Sequence, residues 1–569
     1  MRDSMLCLGI AICVIGVGLM SPCAGEIKAS ESELKLWYAE PAAEWMQALP
    51  VGNGRLGAMV FGGTAEARYQ LNEDSLWCGG PHDYARDGAA QYLPQIRQLL
   101  FEGKQREAEQ LAMEHFMSTP LRQVPYQPFG DLRLTFPGHD EVEAYHRQLD
   151  LDTAIARTTY RVDGVTYTRE TFVSFPDQVV VVRLSCDQPG ALNLSATLTS
   201  PNEDVQTQAA GDDTLAIRGR ARDFTLRGNT ETIPGQVRFE GRCRVKLNGG
   251  QATVDDEQIT VENANAATLM IAMATNVRSY QDISADPAAR CAEVLKRVAT
   301  KTPRQVRDAH MADHQALFRR VRLDLGQAKT AHLTTDRRVL KYAEEEDPQL
   351  AALFFQYGRY LMIASSRAGG QPANLQGLWN ESTSPPWDSK YTVNINTEMN
   401  YWLTEPTNLS ECGLALFDAL AEVADAGRST AQKHYDARGW VLHHNFDRWR
   451  GTAPINAANH GIWVTGGAWL CQHLWWHYLY NGDEAFLRER AYPLMKGAAE
   501  FFVEFLIEDP RNDKRWLISG PSNSPDIGGL VMGPTMDHQI IRELFANTAE
   551  AARVLGVDAD FAGKLDAMR

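Results

Sequence analysis

The stretch Thr159-Tyr-Arg-Val-Asp-Gly-Val-Thr-Tyr-Thr168 decides the fold class of the first half of the chain. Asp163-Gly164 lies between two alternating segments, a pattern typical of a β-hairpin with a tight turn. Outward from it, Gln178–Arg183 and Ala266–Ala274 are apolar runs typical of buried strands. The same period-two pattern, with turn residues between the runs, extends from about Leu36 to Thr275. So many strands predict a large β-sandwich.

Two parts of the chain have helical rather than alternating spacing. A helix at about Ala89–Phe116 interrupts the strands, because apolar residues recur there at helical intervals. From about Pro287 the spacing becomes helical and stays so, with long aromatic loops between the helices. The clearest of the predicted helices after the linker are Pro348–Arg367, Leu414–Tyr435, Ala468–Tyr480, Glu484–Glu508 and Thr535–Leu555. The order of elements therefore predicts a β domain followed by an α domain.

Length and charge limit the classes of protein that fit. A chain of 569 residues is too long for one core and implies two or three domains. Its net charge of −16 argues against nucleic acid as a partner, because such binding needs a basic surface. The cysteines show no CxxC spacing, which argues against a metal site. We expect neither a metal nor a cofactor, and the oligomeric state stays open.

The first 25 residues are typical of an export signal. Arg2 precedes an apolar run over about Leu6–Met20, and Cys23-Ala-Gly25 follows it. The run is short for a membrane span, so we expect no membrane association once the signal is removed. A lipoprotein is the alternative at Cys23, although Pro22 is a poor context for lipidation. Export is expected, to the periplasm or to the outside.

The segment Tyr391-Thr-Val-Asn-Ile-Asn-Thr-Glu-Met-Asn-Tyr-Trp402 is the most informative for chemistry. Asn394 and Asn396 are two residues apart, so in an extended backbone both amides point to one side. Amide oxygens accept hydrogen bonds, and two together can hold one water. The alternative is a loop whose amides cap backbone groups. The segment itself leaves both interpretations open.

Several long motifs occur in a fixed order around this segment. They are Pro50-Val-Gly-Asn-Gly-Arg-Leu-Gly-Ala-Met-Val-Phe-Gly-Gly63, Leu71-Asn-Glu-Asp-Ser-Leu-Trp77, Gln371-Pro-Ala-Asn-Leu-Gln-Gly-Leu-Trp-Asn380, Gly466-Gly-Ala-Trp-Leu470, Gly520-Pro-Ser-Asn-Ser-Pro-Asp526 and Met536-Asp-His-Gln539. On these motifs the chain resembles glycoside hydrolase family 95 from about Leu36 to its last residue. That family contains inverting α-L-fucosidases and related α-L-galactosidases.

The resemblance implies an architecture and a division of the chain. Residues 1–25 would be the signal peptide, 33–275 the β-sandwich, 276–330 a helical linker and 331–569 part of an (α/α)6 catalytic barrel. Position 569 falls after roughly half of the helices of such a barrel. We therefore expect the helical part to be incomplete and to expose an apolar patch, to which Ile541, Leu544, Phe545 and Leu555 would contribute.

The resemblance also implies roles for individual residues. An inverting glycosidase needs an acid for the leaving oxygen and a base that activates water. The acid is a Glu in the family, and its position is held here by Asp526, which is one methylene shorter. Asn394 and Asn396 match the two residues that hold the water. The Asp that polarises this water would lie beyond Arg569, so we expect the 569 residues alone to be a fragment with little or no activity. The alternative for Asp526 is a residue that only caps a turn.

Three further residues bear on the substrate, which the resemblance implies is a fucosylated oligosaccharide or polysaccharide. Thr392 occupies a position where fucose-preferring relatives carry His and some galactose-preferring relatives carry Thr. An α-L-galactosidase therefore stays as an alternative, as does a Thr392 that only satisfies a neighbouring backbone group. Trp463 and Trp469 are candidates for stacking against a sugar ring. His443-His-Asn-Phe-Asp447 is better explained by the core or a pocket wall than by a metal site.

Two hypotheses compete with an exo-acting inverting fucosidase. One is a catalytically inactive protein that binds carbohydrate with its sandwich and half-pocket. The other is a structural sandwich with a non-functional helical tail. A downstream segment that supplies the remaining helices and an Asp would favour the enzyme over both.

Overall fold

The structure is a computed structural model that describes residues 34–225, 231–511 and 513–569. The predicted signal peptide, residues 1–25, lies outside these ranges. Within them, no helix combines the length and the apolar character needed to cross a membrane.

Two antiparallel sheets form the first half of the molecule. The nine-stranded sheet has the order β1-β6-β7-β8-β9-β18-β15-β12-β11, and the seven-stranded sheet has the order β16-β17-β10-β5-β4-β3-β2. The strands are β1 Lys35–Tyr38, β2 Leu49–Gly52, β3 Leu56–Val60, β4 Glu66–Glu73, β5 Gly130–Thr135, β6 Glu143–Asp150, β7 Ile155–Val162, β8 Val165–Ser174, β9 Val179–Cys186, β10 Leu192–Thr199, β11 Glu203–Ala209, β12 Thr214–Arg220, β13 Phe224–Thr225, β14 Thr232–Ile233, β15 Arg238–Asn248, β16 Gln251–Val254, β17 Gln258–Ala264 and β18 Ala266–Thr275. Of these, β13 and β14 pair with each other in a separate two-stranded sheet. The large sandwich is confirmed.

The hairpin predicted at Thr159–Thr168 joins β7 to β8. Val162 pairs with Val165, and Asp163 and Gly164 both have positive φ angles, as the tight hairpin turn requires. The two predicted buried strands are β9 and β18, which are neighbours in the nine-stranded sheet. Their apolar runs are explained by burial on both faces, since one face meets the second sheet and the other meets helices.

The helix predicted at Ala89–Phe116 is two helices, α1 Leu93–Phe101 and α2 Gln105–His115. Gly103 separates them with φ +75°, a conformation that ends a helix and that side chains disfavour. The helical spacing of apolar residues over this stretch therefore did not reveal the turn between α1 and α2.

Helices make up most of the second half. They are α3 Pro287–Ala299, α4 Pro303–Phe318, α5 Thr335–Lys341, α6 Pro348–Ser365, α7 Asn396–Tyr401, α8 Leu414–Tyr435, α9 Ala458–Gly461, α10 Gly466–Asn481, α11 Glu484–Phe486, α12 Tyr492–Phe505, α13 Thr535–Leu555 and α14 Ala559–Met568. Short strand pairs lie between them: β19 Tyr391–Thr392 with β20 Asn445–Phe446, and β21 Ile507–Glu508 with β22 Leu517–Ile518. A π-helical turn over Leu487–Ala491 connects α11 to α12.

The helices α3 and α4 lie against the outer face of the nine-stranded sheet. Cys291, Leu295 and Val306 from these helices pack with Phe172 and Val181 from the sheet in a separate small core. Asp286 caps α3, and Thr302 and Gln305 form a capping box at the start of α4. This part of the chain joins the sandwich to the helices that follow.

The apolar patch predicted on α13 is wrong. Ile541, Leu544, Phe545 and Leu555 are all buried, at 1–7% exposure. The reason is that α14 packs against α13, while α10 and α12 cover other parts of its surface. The residues of α14 were not predicted as a helix, and α13 was therefore expected to lack this partner.

The sandwich and the helical part meet through the motifs at 50–63, 71–77 and 371–380. Buried hydrogen bonds join them: Tyr360 Oη to Pro50 O at 2.7 Å, Trp379 Nε1 to Val51 O at 3.0 Å, Asn72 Nδ2 to Asn380 O at 2.9 Å and Asn380 N to Asn72 Oδ1 at 3.1 Å. A buried bond that loses one partner costs about 1–3 kcal/mol, so these contacts specify how the two parts dock.

Candidate active site

The Asn394/Asn396 segment begins as a strand and ends as a helix. β19 pairs with β20, the Val393 N–H donates to His444 O at 2.9 Å, and α7 begins at Asn396. Residues 393–395 form a turn rather than an extended strand, so strand alternation does not place the two amides. Both side chains are half-buried, and within the described ranges neither amide is hydrogen-bonded to the protein. They are therefore available to a water or a ligand.

Thr392 is buried immediately before this turn. Its Oγ1 donates to Asn445 Oδ1 at 2.7 Å, which ties β19 to β20 by side chains as well as by backbone. The hydroxyl thus satisfies a neighbouring protein group, and it holds the strand that leads into the turn carrying Asn394.

The loop between β22 and α13 carries Asp526. Backbone hydrogen bonds between Ser522 and Val531 close its base, at 3.2 and 2.8 Å. Glu109 on α2 accepts from the Leu530 N–H at 3.0 Å, which anchors one side. Asp526 itself is exposed at the tip. A carboxylic acid on an anchored loop can meet a ligand from solvent.

A series of contacts connects the Asn segment to the Asp526 loop. Val393 bonds to His444, whose ring lies edge-on to that of His460 with centroids 5.8 Å apart. The carbonyl of His460 accepts from Asn523 Nδ2 at 3.2 Å, and Asn523 lies three residues before Asp526. Contacts between neighbours of the predicted residues therefore connect the Asn394/Asn396 segment to the base of the Asp526 loop.

Trp463 and Trp469 pack against each other, with ring centroids 6.3 Å apart and planes at 72°. Trp463 is fully buried, and its indole N–H has no protein partner in the ranges described. Asn523, on the Asp526 loop, donates to the carbonyl of Ile462 at 2.8 Å. Trp463 is therefore the next residue after a point where this loop is attached. Trp469 is half-buried on α10 and is the more accessible of the two rings.

Asp537 lies in the Met536–Gln539 motif, and no role was predicted for it. It lies at the start of α13, fully buried, and accepts from Ser519 Oγ at 2.8 Å and from Thr465 Oγ1 at 3.3 Å. Burial raises the pKa of this carboxyl from 3.8 to about 7, although the hydroxyl donors lower it. The sequence feature that could have indicated a role for Asp537 is its position in the Met536–Gln539 motif. The motif lies at the start of a helix, where an Asp favours the helix N-terminus.

Glu398 is a second residue without a predicted role. It lies on α7, two positions after Asn396, and is completely buried. Among the described residues neither of its carboxylate oxygens has a hydrogen-bond partner. Burial raises the pKa of this carboxyl well above its usual value. Only its burial, which sequence does not show, distinguishes it from a surface Glu.

His443 and Asp447 belong to the core. The ring of His443 lies 2.7 Å from both Tyr435 Oη and Thr452 O. Asp447 accepts from Tyr84 Oη at 2.5 Å and from the Trp449 N–H at 3.0 Å. The polar atoms of both side chains are thus engaged by hydrogen bonds within the protein.

Comparison with known proteins gives two family matches that divide the chain. Residues 302–569 match the glycosyl hydrolase family 95 catalytic domain. Residues 36–280 match the glycosyl hydrolase family 65 N-terminal domain. A solved structure described as "Putative kojibiose phosphorylase from human microbiome" superposes with a TM-score of 0.60 at 9% identity, over 95% of this chain and 70% of that one. At that identity the likeness concerns the fold alone.

Two curated relatives are similar over most of the chain. "Alpha-L-fucosidase 2" of Arabidopsis thaliana is 36% identical over 561 residues, which cover 93% of this chain and 66% of that protein. "Probable alpha-fucosidase A" of Aspergillus niger is 31% identical over 543 residues, with 90% and 66% covered. This chain thus spans 66% of the length of each of these relatives. The domain match and these two similarities agree, and the chain belongs to glycoside hydrolase family 95.

Proposed function

We propose that the protein is an exo-acting inverting glycosidase that releases L-fucose from α-L-fucosylated glycans. The observation that carries the proposal is the pair of half-buried amides at Asn394 and Asn396, free of protein partners and connected by packing to the loop of Asp526. The names of the two relatives supply the sugar. One is named an alpha-L-fucosidase and the other a probable alpha-fucosidase, and we infer a fucosylated oligosaccharide or polysaccharide as the substrate.

In this proposal the two faces of the scissile bond are served by different loops. Asp526 gives its proton to the leaving oxygen, while the amide oxygens of Asn394 and Asn396 accept hydrogen bonds from water on the opposite face. An amide orients the water but cannot take its proton, so the reaction also needs a carboxylate base. Attack from the side opposite the leaving group inverts the anomeric carbon, and α-L-fucoside gives β-L-fucose.

The acid is the weaker part of this machinery. Asp526 is one methylene shorter than the Glu that the family uses, so its carboxyl reaches less far toward the leaving oxygen. Its exposed position at the tip of the loop allows the tip to shift toward a bound glycan. We infer that Asp526 is the acid and that the shorter reach lowers the rate rather than abolishing it.

The proposed architecture is a sandwich at 33–275, a helical linker at 276–330 and part of an (α/α)6 barrel at 331–569. Supporting it, α7, α8 and α10 line an open groove of about 420 Å³. Trp402, Leu479 and Tyr480 on this groove are 40–60% exposed, which is unusual for large apolar side chains that lie together. Further helices packed there would cover them. We also propose export of the protein, on the sequence of residues 1–25.

The experiment is a paired hydrolysis assay on the whole natural chain that carries these 569 residues. One substrate is a 2-linked fucosyl oligosaccharide, and the other is the corresponding α-L-galactoside, which differs by the 6-hydroxyl. We expect release of L-fucose at the higher kcat/KM. Faster release of L-galactose would replace the substrate in this proposal, and release of neither sugar would refute a glycosidase of this specificity.

A further inference from the structure

A second groove lies on the sandwich, away from the residues of the proposed catalytic site. It has a volume of about 940 Å³ and runs between the outer face of the nine-stranded sheet and the first turns of α4. Its charged lining residues are Glu170, Arg183, Lys246, Arg304, Arg307 and Asp308. We call this feature the basic groove.

Strand register explains why the charges collect there. Arg157, Glu170, Arg183, Thr268 and Lys246 are successive register partners across β7, β8, β9, β18 and β15, so they form one row on one face of the sheet.

Two residues further along, the row on the same face is apolar. Phe172, Val181 and Met270 are register partners there, and they pack under α3 and α4. The helices cover the apolar row, whereas Arg183 and Lys246 of the charged row stay exposed.

The row contains more positive than negative charge. Arg157 Nη2 bonds to Glu170 Oε1 at 2.7 Å, whereas Arg183 and Arg307 lie 3.6 and 3.7 Å from the same carboxylate. Those two distances exceed a hydrogen bond, so both guanidinium groups keep donors available. One carboxylate therefore faces three guanidinium groups, in a chain whose net charge is −16.

Lys246 adds a further positive charge on the open side of the row. In the described ranges its ammonium makes one hydrogen bond, to the carbonyl of Lys301 at 3.4 Å, and forms no ion pair. Arg183 and Lys246 are exposed in the lining of the groove. They thus present cationic donors to whatever enters it.

We propose that the basic groove binds a saccharide through a sulfate or carboxylate group that the sugar carries. Guanidinium donors pair strongly with planar or tetrahedral oxyanions. The volume lies within the range of small-molecule sites, and Asn248 and Thr268 in the lining offer partners for sugar hydroxyls. The lining contains no aromatic side chain, so recognition is ionic rather than by ring stacking.

Calorimetric titration of the whole natural chain tests this with three disaccharides: one sulfated, one carrying a uronic acid, and one neutral. The test variant is Arg183→Gln combined with Lys246→Gln. The control is Arg161→Gln, an arginine on β7 that is as exposed as Arg183 and pairs with Glu143 outside the groove. Thermal melts of all three proteins verify folding.

We expect at least one anionic disaccharide to bind, and the neutral one to bind at least about tenfold more weakly. The double variant should lose about tenfold or more in affinity, while the control and the hydrolysis of neutral substrates stay unchanged. The stronger of the two anionic sugars identifies the group. Equal binding of neutral and anionic sugars, unchanged affinity of the double variant, or no binding of either anionic sugar would overturn the proposal. Because the readout is binding, the result is independent of whether the protein hydrolyses fucosides.

Discussion

At the scale of single residues, the candidate site depends on polar groups that the fold leaves unpaired. Asn394 and Asn396 are half-buried without protein hydrogen bonds, whereas neighbouring Thr392 is engaged with Asn445. Polar groups that are withdrawn from solvent are normally hydrogen-bonded, so half-buried amides without protein partners point to a ligand or water. The carboxyl of Asp526 is exposed and can meet a ligand from solvent.

Replacing either amide should therefore affect turnover and not folding. Asn396→Ala is expected to reduce kcat/KM by about 10²-fold or more, because the attacking water loses one of its two acceptors. The melting temperature should stay the same, since no protein hydrogen bond is lost. Gln98→Ala, which truncates an exposed amide on α1, serves as the control. Equal activity of the parent and Asn396→Ala would remove the amide pair from the mechanism.

Asp526 should respond to a change in length. Asp526→Glu restores the methylene that the family's acid has, and we expect a higher kcat. Asp526→Asn keeps the shape but cannot donate a proton, so its kcat should fall by about 10²–10⁴-fold. Steady-state kinetics on the fucosyl oligosaccharide measure both. Nearly parental turnover by Asp526→Asn would show that another group is the acid.

At the scale of elements, the site is held by close contacts between α10, α13 and the loops before them. Asp537 at the start of α13 joins Ser519, before the Asp526 loop, to Thr465, before α10. At Gly466, the first residue of α10, an added Cβ would lie 2.5 Å from His443 O and 2.8 Å from Val393 Cγ2. The glycine thus lets α10 approach the strand that leads to Asn394.

The buried carboxyl of Asp537 should make stability depend on pH. Its pKa is about 7 in the folded protein, whereas the pKa of an unperturbed Asp carboxyl is 3.8. A raised carboxyl pKa contributes stability that is fully present below pH 4 and is lost as pH rises through 7. Relative to the parent, Asp537→Asn should therefore gain stability between pH 4 and 8, by at most about 4 kcal/mol. Urea unfolding at pH 5 and pH 8 measures this. A parent–variant difference that is the same at both pH values would contradict the assignment.

Two glycine substitutions test the packing of α10. Gly466→Ala should cost about 1–3 kcal/mol of unfolding free energy, because the new Cβ meets backbone that cannot move aside. Gly358→Ala on α6 is the matched control, since nothing lies within 4 Å of its added Cβ. It should be neutral or stabilise by up to about 1 kcal/mol, from helix propensity. Denaturant midpoints compare the two, and an equal effect would show that Gly466 is not tightly packed.

Local patterns in the sequence predicted the bounds of these elements better than they predicted the contacts between elements. The bounds of α8 and α13 and the turn at Asp163-Gly164 follow from periodicity and turn chemistry, which are local properties. The break at Gly103 and the burial of α13 by α14 were missed. The first depends on one left-handed residue within a periodic run, and the second on which helices meet in space.

For the candidate site, too, local motifs were predicted from the sequence and tertiary contacts were not. The motifs predict Asn394, Asn396 and Asp526 as site residues, and contacts between neighbouring residues connect the segments that carry them. The buried partners of Asp537 and the unpartnered carboxyl of Glu398 arise from tertiary packing. Neither could be derived from residue spacing alone.

At the scale of the whole molecule, the long motifs divide between docking and chemistry. Those at 50–63 and 71–77 join the sandwich to Tyr360 and to the 371–380 segment through buried hydrogen bonds. The motifs at 391–402 and 520–526 carry the candidate residues, and the motif at 466–470 packs against Val393. The sandwich thus fixes the position of the helical part, while its own outer face carries the separate basic groove.

The stereochemistry of the released sugar tests the central claim most directly. Proton NMR during the first minutes of hydrolysis by the whole natural chain distinguishes the two anomers of L-fucose before they equilibrate. Water held by Asn394 and Asn396 opposite the leaving group predicts β-L-fucose as the first product, and loss of its formation when both residues are changed to Ala. α-L-Fucose as the first product, or parental formation of β-L-fucose by the double variant, would contradict the account.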